Sequence, residues 1–346
     1  MREQCSAERE LAGIAHITYH QPACRELPLM RLRIAFIMDP MEGILVDKDT
    51  TFVFMLEAQK RGHELYHLGI GDLFIDGTQP RGRCRRVEVR RADEHYAMFE
   101  DKIEPLDWFH VVFMRTDPPF DLDYYFATHI LSLVDRTCTF VINDPHGLRE
   151  ANEKLYALNF PALIPPTLVS RDPDRLKGFL ASLGGEMIIK PLALAGGSGV
   201  FHLRQGDRNL NALLETATHQ GRRLLMAQRY IPEVREGDKR LIVLDGEPLG
   251  ATLRVPREEE TRANIHVGAT CVHAPVSPRD REICKTMAPR LQVDGLYFVG
   301  LDVIGHWLTE VNVTSPTGIQ EINALDGVLL ESRVIDFVEN KAATLK

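Results

Sequence analysis

The sequence predicts a protein of mixed α/β and α+β class, and three features of the chain lead to this fold class. Short apolar runs alternate with helical stretches over residues 31–145, which is typical of a Rossmann-like domain with a parallel sheet. Short strands around a glycine-rich loop follow over residues 146–235, and a strand hairpin with a final helix lies within residues 236–346. A chain of 346 residues is too long for one core, so we expect these ranges to be separate domains.

The N-terminal domain begins with an apolar run at residues 32–39. The run ends in Asp39-Pro40, as expected for a buried strand that meets a loop. Asp49 and the two threonines after it can cap the next helix, and Gly62 can end that helix. The apolar pattern predicts the remaining elements of this domain: strands at 63–68, 108–114 and 138–142, and a helix near 122–135.

Residues 81–91 contain six arginines, and two interpretations of this cluster remain open. The arginines could contact phosphate or RNA, or they could mark an edge strand that charge protects from unwanted pairing. The second interpretation is favoured, because acidic residues follow at once and the net charge of the chain is −8. This net charge also argues against a general nucleic-acid binder and against an anionic-membrane binder.

The six cysteines are scattered and form no C-x-x-C pair, which argues against a zinc ribbon or a thioredoxin-like redox site. Scattered cysteines in a large chain indicate a reducing compartment, and we predict a cytoplasmic location. No apolar run approaches the roughly 18 residues that a membrane span needs. Residues 1–30 lack the apolar core of a secretory signal, and we expect them to be an extension outside the folded unit.

The second half of the chain predicts a small α+β unit followed by another sheet. A polar loop at residues 256–272 contains Gly268 and suits a mobile lid. The predicted elements are helices at 147–158, 208–219, 279–291 and 327–340, and strands at 186–190, 200–204, 223–230, 240–244, 296–304 and 308–313.

The last two predicted strands flank residues 305–307. A three-residue loop there would place Asp302 directly opposite Glu310, with Asn312 two residues further along the same face. Opposed carboxylates repel each other, so we expect a cation between them, and three oxygen ligands suit Mg²⁺. A two-residue loop would turn one carboxylate to the other face. The alternative interpretation is a solvated hairpin with scattered acids.

Lys190 ends an apolar strand and is followed six residues later by Gly196-Gly197-Ser198-Gly199. Small residues let backbone amides approach phosphate oxygens, and lysine supplies a compact positive charge. The segment matches neither the Walker A nor the dinucleotide-binding pattern, and most short glycine clusters are turns. Gln228-Arg229-Tyr230-Ile231 offers an apolar strand end for an adenine, and Asp238 could hold a ribose hydroxyl or a basic neighbour. A strand that leaves the core into a charged loop is the alternative for this segment.

Taken together, motifs spread from about residue 31 to residue 325 resemble the bacterial glutathione synthetase family of ATP-grasp ligases. The run from Thr309 to Thr317 is the most specific of these motifs. The resemblance rests on Met38-Asp39-Pro40, Arg115-Thr116-Asp117-Pro118-Pro119-Phe120-Asp121, Asn152-Glu153-Lys154-Leu155, Lys190-Pro191-Leu192, Ala227-Gln228-Arg229-Tyr230, Gly237-Asp238-Lys239-Arg240, Gly300-Leu301-Asp302 and Thr309-Glu310-Val311-Asn312-Val313-Thr314-Ser315-Pro316-Thr317.

The resemblance implies an ATP-grasp fold and a ligase that joins glycine to γ-glutamylcysteine, releasing ADP and phosphate. It implies ATP and Mg²⁺ (with Mn²⁺ as a possible substitute) and a homo-oligomer such as a tetramer. The implied roles are ATP phosphate binding for Lys154 and Lys190, loop closure for Gly196 and Gly197, nucleotide contacts for Gln228, Tyr230, Ile231 and Asp238, metal binding for Asp302, Glu310 and Asn312, catalysis for Arg254 and Arg240, and substrate binding for Arg254, Arg262, Ser315 and Thr317.

The chain departs from the family pattern at three places. Ala193-Leu194 replace an Asp-Gly, Gly268-Ala269-Thr270 replace a Gly-Gly-Arg, and Gln320 stands where an arginine is common. Fewer cations near the acceptor could lower the affinity for a dianionic peptide, or could indicate another substrate.

Glutathione synthesis is the leading prediction for the function. The alternatives are an ATP-grasp ligase for a related peptide or amino acid, and a non-catalytic nucleotide-binding protein. A nicotinamide-dependent dehydrogenase would explain the first domain but would leave the motif from Glu310 to Asn312 unused.

Overall fold

The computed structural model describes residues 31–257 and 269–345, which form three β-sheets with helices packed against them. The sheets contain seven, four and five strands in chain order, which agrees with the mixed architecture predicted from the sequence. The domain boundaries given above stay predictions. The extension predicted for residues 1–30 lies outside the described residues.

The first sheet is mixed, so the prediction of a parallel sheet was incomplete. Its order is β3-β4-β2-β1-β6-β7, with β5 paired to β4; β1, β2, β6 and β7 run parallel, whereas β3, β4 and β5 join by antiparallel pairing. The strands are β1 (Arg33–Ile37), β2 (Glu64–Leu68), β3 (Leu73–Asp76), β4 (Gln79–Val89), β5 (Tyr96–Pro105), β6 (Val111–Met114) and β7 (Phe140–Ile142).

The arginine-rich segment is strand β4, and the prediction that it lies at a sheet edge is wrong. β4 pairs with β2, β3 and β5. The neighbouring strand neutralises part of its charge, since Arg83 Nε donates to Asp101 Oδ1 on β5 at 2.8 Å. Strand pairing, rather than exposed charge, therefore protects this part of the sheet.

Helix α1 (Thr50–Lys60) follows β1 and begins at the predicted cap, where Asp49 Oδ1 accepts a hydrogen bond from Phe52 N at 2.6 Å. Gly62 follows the helix with a φ of +87°, a conformation that glycine adopts without strain. The other helices of this region are α2 (Leu122–Leu131) and α3 (Pro145–Glu150).

The helix predicted at 147–158 is interrupted. α3 ends at Glu150, and a 3-10 turn follows at Tyr156–Asn159. Asn152 Oδ1 accepts from the backbone N–H groups of Lys154 at 3.2 Å and Leu155 at 3.1 Å. This side chain competes with helical hydrogen bonding and fixes the turn that carries Lys154.

The second sheet is antiparallel, with the order β10-β9-β11-β8. The sequence pattern did not predict β8 and α4, because prolines at 165, 166 and 173 interrupt the periodicity. Pro173 is in fact at the start of α4, where a missing N–H is tolerated. The elements are β8 (Thr167–Ser170), α4 (Pro173–Ser182), β9 (Glu186–Pro191), β10 (Phe201–Arg204), α5 (Leu210–Ala217) and β11 (Leu225–Arg229).

The third sheet is antiparallel as well, with the order β14-β13-β12-β15-β16. Helix α7 was not among the predicted elements. The elements are β12 (Asp238–Leu244), β13 (Glu247–Val255), β14 (Thr270–His273), α6 (Pro278–Val293), β15 (Phe298–Ile304), β16 (Trp307–Asn312), α7 (Ile319–Asp326) and α8 (Leu330–Ala343).

Two large apolar cores each combine residues of the first and third sheets. The second sheet has its own smaller core with α4 and α5. The first and third sheets are therefore packed together, and the second sheet is a separately packed layer that borders the cleft described below. Among the described helices, none combines the length and the apolar character that crossing a bilayer requires.

Candidate active site

A cavity lies between the second sheet and the β15–β16 hairpin of the third sheet. It brings together ten of the sixteen residues singled out from the sequence. These ten lining residues are Lys154, Lys190, Gly196, Gly197, Gln228, Tyr230, Ile231, Asp238, Asp302 and Glu310.

Lys154 lines this cavity and is only 5% exposed. Its Nζ is 2.8 Å from Glu310 Oε1 and donates to the carbonyl of Leu194 at 2.6 Å. Asn152 Nδ2 donates to the carbonyl of Leu192 at 3.1 Å. The turn that carries Lys154 therefore contacts the segment where the chain has Ala193-Leu194 in place of the expected Asp-Gly.

Lys190 is near the end of β9 and faces the same cavity. Burial lowers the pKa of its ammonium group, against the opposing effect of Glu310. The glycine loop follows, with φ of +66° at Gly196 and +76° at Gly197. A Cβ on Gly199 would lie 2.8 Å from Pro191 Cγ, so the loop can pass this closely over β9 only because that residue is glycine.

The predicted adenine surface is an apolar strand end beside the glycine loop. Gln228 is 2% exposed, and its Nε2 donates to Thr167 Oγ1 at 3.1 Å. The ring of Tyr230 stacks on His202, with the centroids 3.9 Å apart and the planes 14° apart. His202 on β10 was not singled out from the sequence, because no motif or spacing marks it.

The hairpin has a two-residue turn, and the three-residue loop predicted from the sequence is wrong. Ile304 pairs with Trp307 and Val303 with Leu308, after which the register shifts at a β-bulge. Thr309 is the extra residue, and its hydroxyl donates to the carbonyl of Asp302 at 3.1 Å. The bulge brings Asp302 back opposite Glu310, so the predicted juxtaposition is present even though the predicted loop is not.

Asp302 is bound by two arginines of the same sheet. Arg240 Nε and Nη2 donate to its two oxygens at 2.6 and 3.2 Å, and Arg254 Nη2 is 3.0 Å from Oδ1. Arg254 Nη2 also donates to Asp238 Oδ2 at 2.6 Å. Neighbouring-strand pairing explains the cluster, since Arg240 is opposite Asp302 and Asp238 is opposite Arg254.

This network shifts the pKa values of its two aspartates in opposite directions. Burial alone would raise the pKa of Asp302, but the guanidinium groups of Arg240 and Arg254 hold it below its ordinary value. Burial raises the pKa of Asp238, which Arg254 opposes only in part. Attraction to Asp238 and Asp302 outweighs burial and raises the pKa of Arg254. Asp302 is therefore the firmly ionised carboxylate of this cluster.

The donors at the hairpin fit the oxygen preference of Mg²⁺. Glu310 lines the cavity, and Asn312 Nδ2 donates to the carbonyl of Gly300 at 3.1 Å, which orients the amide so that its oxygen remains to accept. The described residues contain no group of three or more His, Cys, Asp or Glu side chains arranged for a metal. The candidate set is therefore two carboxylates and an amide, and an incoming ion would share Asp302 with two arginines.

Among the described residues, the other predicted substrate-binding residues, Arg254, Ser315 and Thr317, do not line the cavity. Thr317 follows β16, and its carbonyl accepts from Arg240 Nη1 at 3.1 Å. Ser315 is two residues before it in the same loop. Arg262 and Gly268 lie outside the described residues, whereas Thr270 begins β14.

Gln320, which replaces an arginine common in the family, is fully engaged near the start of α7. Its Oε1 accepts from Arg91 Nη2 at 2.7 Å, and its Nε2 donates to the carbonyls of Val46 at 2.9 Å and Asp49 at 2.6 Å. Arginine has no acceptor atom for Arg91. Where an arginine is common in the family, this chain therefore has Gln320 and a cation nearby at Arg91.

Comparison with known proteins agrees with this geometry. Residues 32–149 match the model of the prokaryotic glutathione synthetase N-terminal domain, and residues 153–327 match that of the prokaryotic glutathione synthetase ATP-grasp domain. Glutathione synthetase from Synechocystis sp. is 44% identical over 320 residues, covering 90% of this chain and 100% of the relative. Glutathione synthetase from Brucella melitensis is 44% identical over 311 residues, covering 90% and 99%.

Two solved structures share the fold at low sequence identity. The ATP-grasp ligase PsnB, complexed with a minimal precursor, is 16% identical, with a TM-score of 0.59 and coverage of 90% of this chain and 99% of that chain. D-cycloserine synthetase DcsG is 14% identical, with a TM-score of 0.62 and coverage of 89% and 99%.

The three-sheet fold is that of the ATP-grasp ligases, and the family matches make the chain an ATP-dependent enzyme that forms a carbon–nitrogen bond. Both halves of the chain match the same family, and the relatives are well above 30% identity over nearly their full length. The chain belongs to the prokaryotic glutathione synthetase family, and its activity is that of glutathione synthesis. ATP-grasp ligases in general use ATP with Mg²⁺.

Proposed function

We propose that the cavity between the second and third sheets binds MgATP, and that glycine is joined beside it to the cysteinyl carboxylate of γ-glutamylcysteine. The convergence of two lysines with two cross-strand carboxylates on one cavity carries this proposal. Lys154 and Lys190 come from distant segments, and both face Glu310. Phosphate groups need such cations, and carboxylates beside them suit the accompanying divalent ion.

The nucleotide residues have distinct tasks in this proposal. Lys154 and Lys190 bind phosphate oxygens, and the backbone amides of Gly196 and Gly197 close over them. Gln228, Tyr230 and Ile231 frame the adenine, while Asp238 lies near the ribose. Lys154 now contacts Glu310 and the Leu194 carbonyl, so ATP phosphate would have to replace at least one of these contacts.

Asp302, Glu310 and Asn312 would hold Mg²⁺, which offsets negative charge on the phosphates when it is bound. Asp302 also holds Arg240 and Arg254 on the same face of the sheet. The network thus keeps two guanidinium groups oriented before the substrates arrive, and no reorganisation is needed during the reaction.

The chemistry follows from the weakness of a carboxylate as an electrophile. A carboxylate oxygen of the peptide attacks the γ-phosphorus of ATP, the bond from that phosphorus to the bridging oxygen breaks, and ADP leaves. The glycine amine then attacks the acyl carbonyl, phosphate leaves, and the amine loses a proton. Arg254 would stabilise charge on the transferring oxygens. Arg240, which shares Asp302 with Arg254, would help to keep the guanidinium group of Arg254 oriented.

The acceptor is expected at the loop that follows β16. Ser315 and Thr317 would contact the peptide, and Arg262, in the lid segment, would contact phosphate and substrate. Water hydrolyses an acyl phosphate, so the intermediate must be shielded from solvent during turnover.

The proposal is tested by measuring phosphate release and peptide products with MgATP, γ-glutamylcysteine and glycine, leaving out one substrate at a time. We expect glutathione only when all three are present. Phosphate release with a different acid and amine, and none with this pair, would keep the ligase and reject these substrates.

Other features of the enzyme follow from the family and are proposals for this chain. We infer that Mn²⁺ can replace Mg²⁺, that the chain forms a homo-oligomer such as a tetramer, and that it works in the cytoplasm. The four cysteines of the described part of the chain are free thiols, which suits a reducing compartment. Light scattering coupled to gel filtration tests the assembly, and a monomer would reject it.

A further inference from the structure

His202 lies on the face of the second sheet that borders the cavity. Alternate side chains of a strand point to opposite faces, and its neighbour Leu203 packs into the core on the other face of this sheet. His202 is directly opposite Ile188 on β9, and Ile188 is directly opposite Gln228 on β11. Ile188 and Gln228 line the cavity, whereas His202 does not. His202 is therefore the outermost member of a row of three side chains that continues the cavity wall.

The ring of Tyr230 connects His202 to the cavity. Tyr230 follows the end of β11, lines the cavity and is 9% exposed. The imidazole of His202 stacks on it almost in parallel, with the ring centroids 3.9 Å apart. A ring has two faces, and His202 covers one of them, so Tyr230 contributes its other face or its edge to the cavity. The orientation of that surface depends on the ring behind it.

The surroundings of His202 indicate that its flat ring is the feature that matters. Burial lowers the pKa of His202, and Arg204 acts in the same direction, so the imidazole is neutral at pH 7. Its Nε2 is buried without a hydrogen-bond partner in the described part of the chain, since Glu186 Oε2 is 3.7 Å away.

Leaving a buried polar atom unpaired costs free energy, and an aliphatic side chain of similar size at this position would avoid that cost. Filling space on the sheet therefore does not explain the histidine. The parallel stack on Tyr230 is the contact that an aliphatic side chain could not make.

We propose that His202 is a positioning residue for the purine base of ATP: by stacking on Tyr230, it holds that ring in place as a flat wall of the cavity. This inference rests on the proposed function. Purines are planar and stack favourably on aromatic side chains. His202 is opposite Ile188 rather than Lys190, which is two residues further along β9 and so about 7 Å away. Loss of the stack should therefore affect the base and not the phosphates that Lys190 would bind.

The test compares His202→Leu, which removes the flat ring, with His202→Phe, which keeps one. His202→Leu should raise the Kd for MgATP, measured by calorimetry without the other substrates, by about fivefold, as for the loss of one aromatic pair. The Kd for MgADP should rise by the same factor, because ADP has the same base and one phosphate fewer. The kcat at saturating MgATP should stay unchanged. His202→Phe should bind both nucleotides as the wild type does.

Two further variants distinguish the stack from a general effect on the sheet. Arg204→Leu is the matched control, because Arg204 is on the same strand and face as His202 and contacts Glu186 at 3.0 Å, but is not part of the stack. It should leave the Kd for both nucleotides unchanged. Tyr230→Leu should raise the Kd for MgATP, and adding His202→Leu should cause no further rise, because His202 acts through Tyr230.

An unchanged Kd for MgATP in His202→Leu would overturn the inference. An equal rise of this Kd in His202→Phe would overturn it as well, because the flat ring would then have no role. If His202→Leu does not fold, His202→Gln, which also lacks a ring, takes its place with the same expected results. A wild-type protein that binds neither nucleotide would instead reject the proposed function.

Discussion

Replacing the two facing carboxylates of the hairpin by amides distinguishes the charge needed for catalysis from the charge needed for stability. Glu310→Gln and Asp302→Asn each remove one negative charge and keep the shape of the side chain. Their surroundings differ: Asp302 is 7% exposed and bound by two arginines, whereas the side chain of Glu310 is 20% exposed and contacts Lys154. We expect both variants to lose ligation and only Asp302→Asn to be strongly destabilised.

The magnitudes follow from these contacts. Asp302→Asn leaves Arg240 and Arg254 without their shared counter-ion, and breaking a buried ion pair costs about 3–5 kcal/mol. Glu310→Gln weakens one charged contact to Lys154, worth about 1.5–3 kcal/mol. Repulsion from Glu310 adds to the effect of burial in raising the pKa of Glu153, so relief of this repulsion should offset part of that loss. Loss of one preorganised charge at a reacting phosphate should cost at least about 10²-fold in kcat.

The assay pairs steady-state phosphate release, at saturating MgATP, with urea denaturation of each variant. Wild type and Glu310→Gln should unfold at similar urea concentrations, and Asp302→Asn at a clearly lower one. The reasoning is refuted if Glu310→Gln keeps more than a tenth of wild-type turnover in magnesium. It is also refuted if the two variants are equally destabilised.

Three further predictions concern single contacts. Burial lowers the pKa of Lys190, so this side chain should lose its charge at a pH below the ordinary range of lysine. The Kd for MgATP should rise as that charge is lost, and Lys190→Arg should flatten this pH dependence of the Kd. Gln320→Arg should lower the melting temperature by placing two guanidinium groups together, and adding Arg91→Ala should restore it; no rescue would show that the pair is uncoupled. Burial lowers the pKa of His63, which contacts Glu339. Below about pH 6.5 the unfolded state therefore binds more protons than the folded state, and the melting temperature should fall as the pH is lowered. This fall should be less steep in His63→Gln.

Much of the site could be predicted because it is local in sequence. Lys190 and its glycine loop lie within ten residues, and the two carboxylates lie on one hairpin. The register of that hairpin could not be predicted, because the bulge at Thr309 depends on strand pairing that sequence spacing does not show. The prediction that Asp302 faces Glu310 is confirmed, although the three-residue loop on which it was based is wrong.

The arginine network could not be predicted for a different reason. Arg240 and Arg254 reach Asp302 from strands more than forty residues away in sequence, and periodicity alone gives no strand order. The same holds for Arg115, whose Nη2 donates to the carbonyl of Pro316, 201 residues away in sequence. Family resemblance singled out the arginines near the active site, but only the packed sheets show which carboxylate each one contacts.

The cleft should make an acyl phosphate from ATP, and trapping this intermediate is the most direct test of its chemistry. Wild-type enzyme is incubated with MgATP and γ-glutamylcysteine, with hydroxylamine in place of glycine, and the products are identified by mass spectrometry. We expect a γ-glutamylcysteine hydroxamate formed in step with ADP and phosphate, and none with Glu310→Gln. Hydroxamate formed together with AMP and pyrophosphate would contradict it, because the activated species would then be an acyl adenylate.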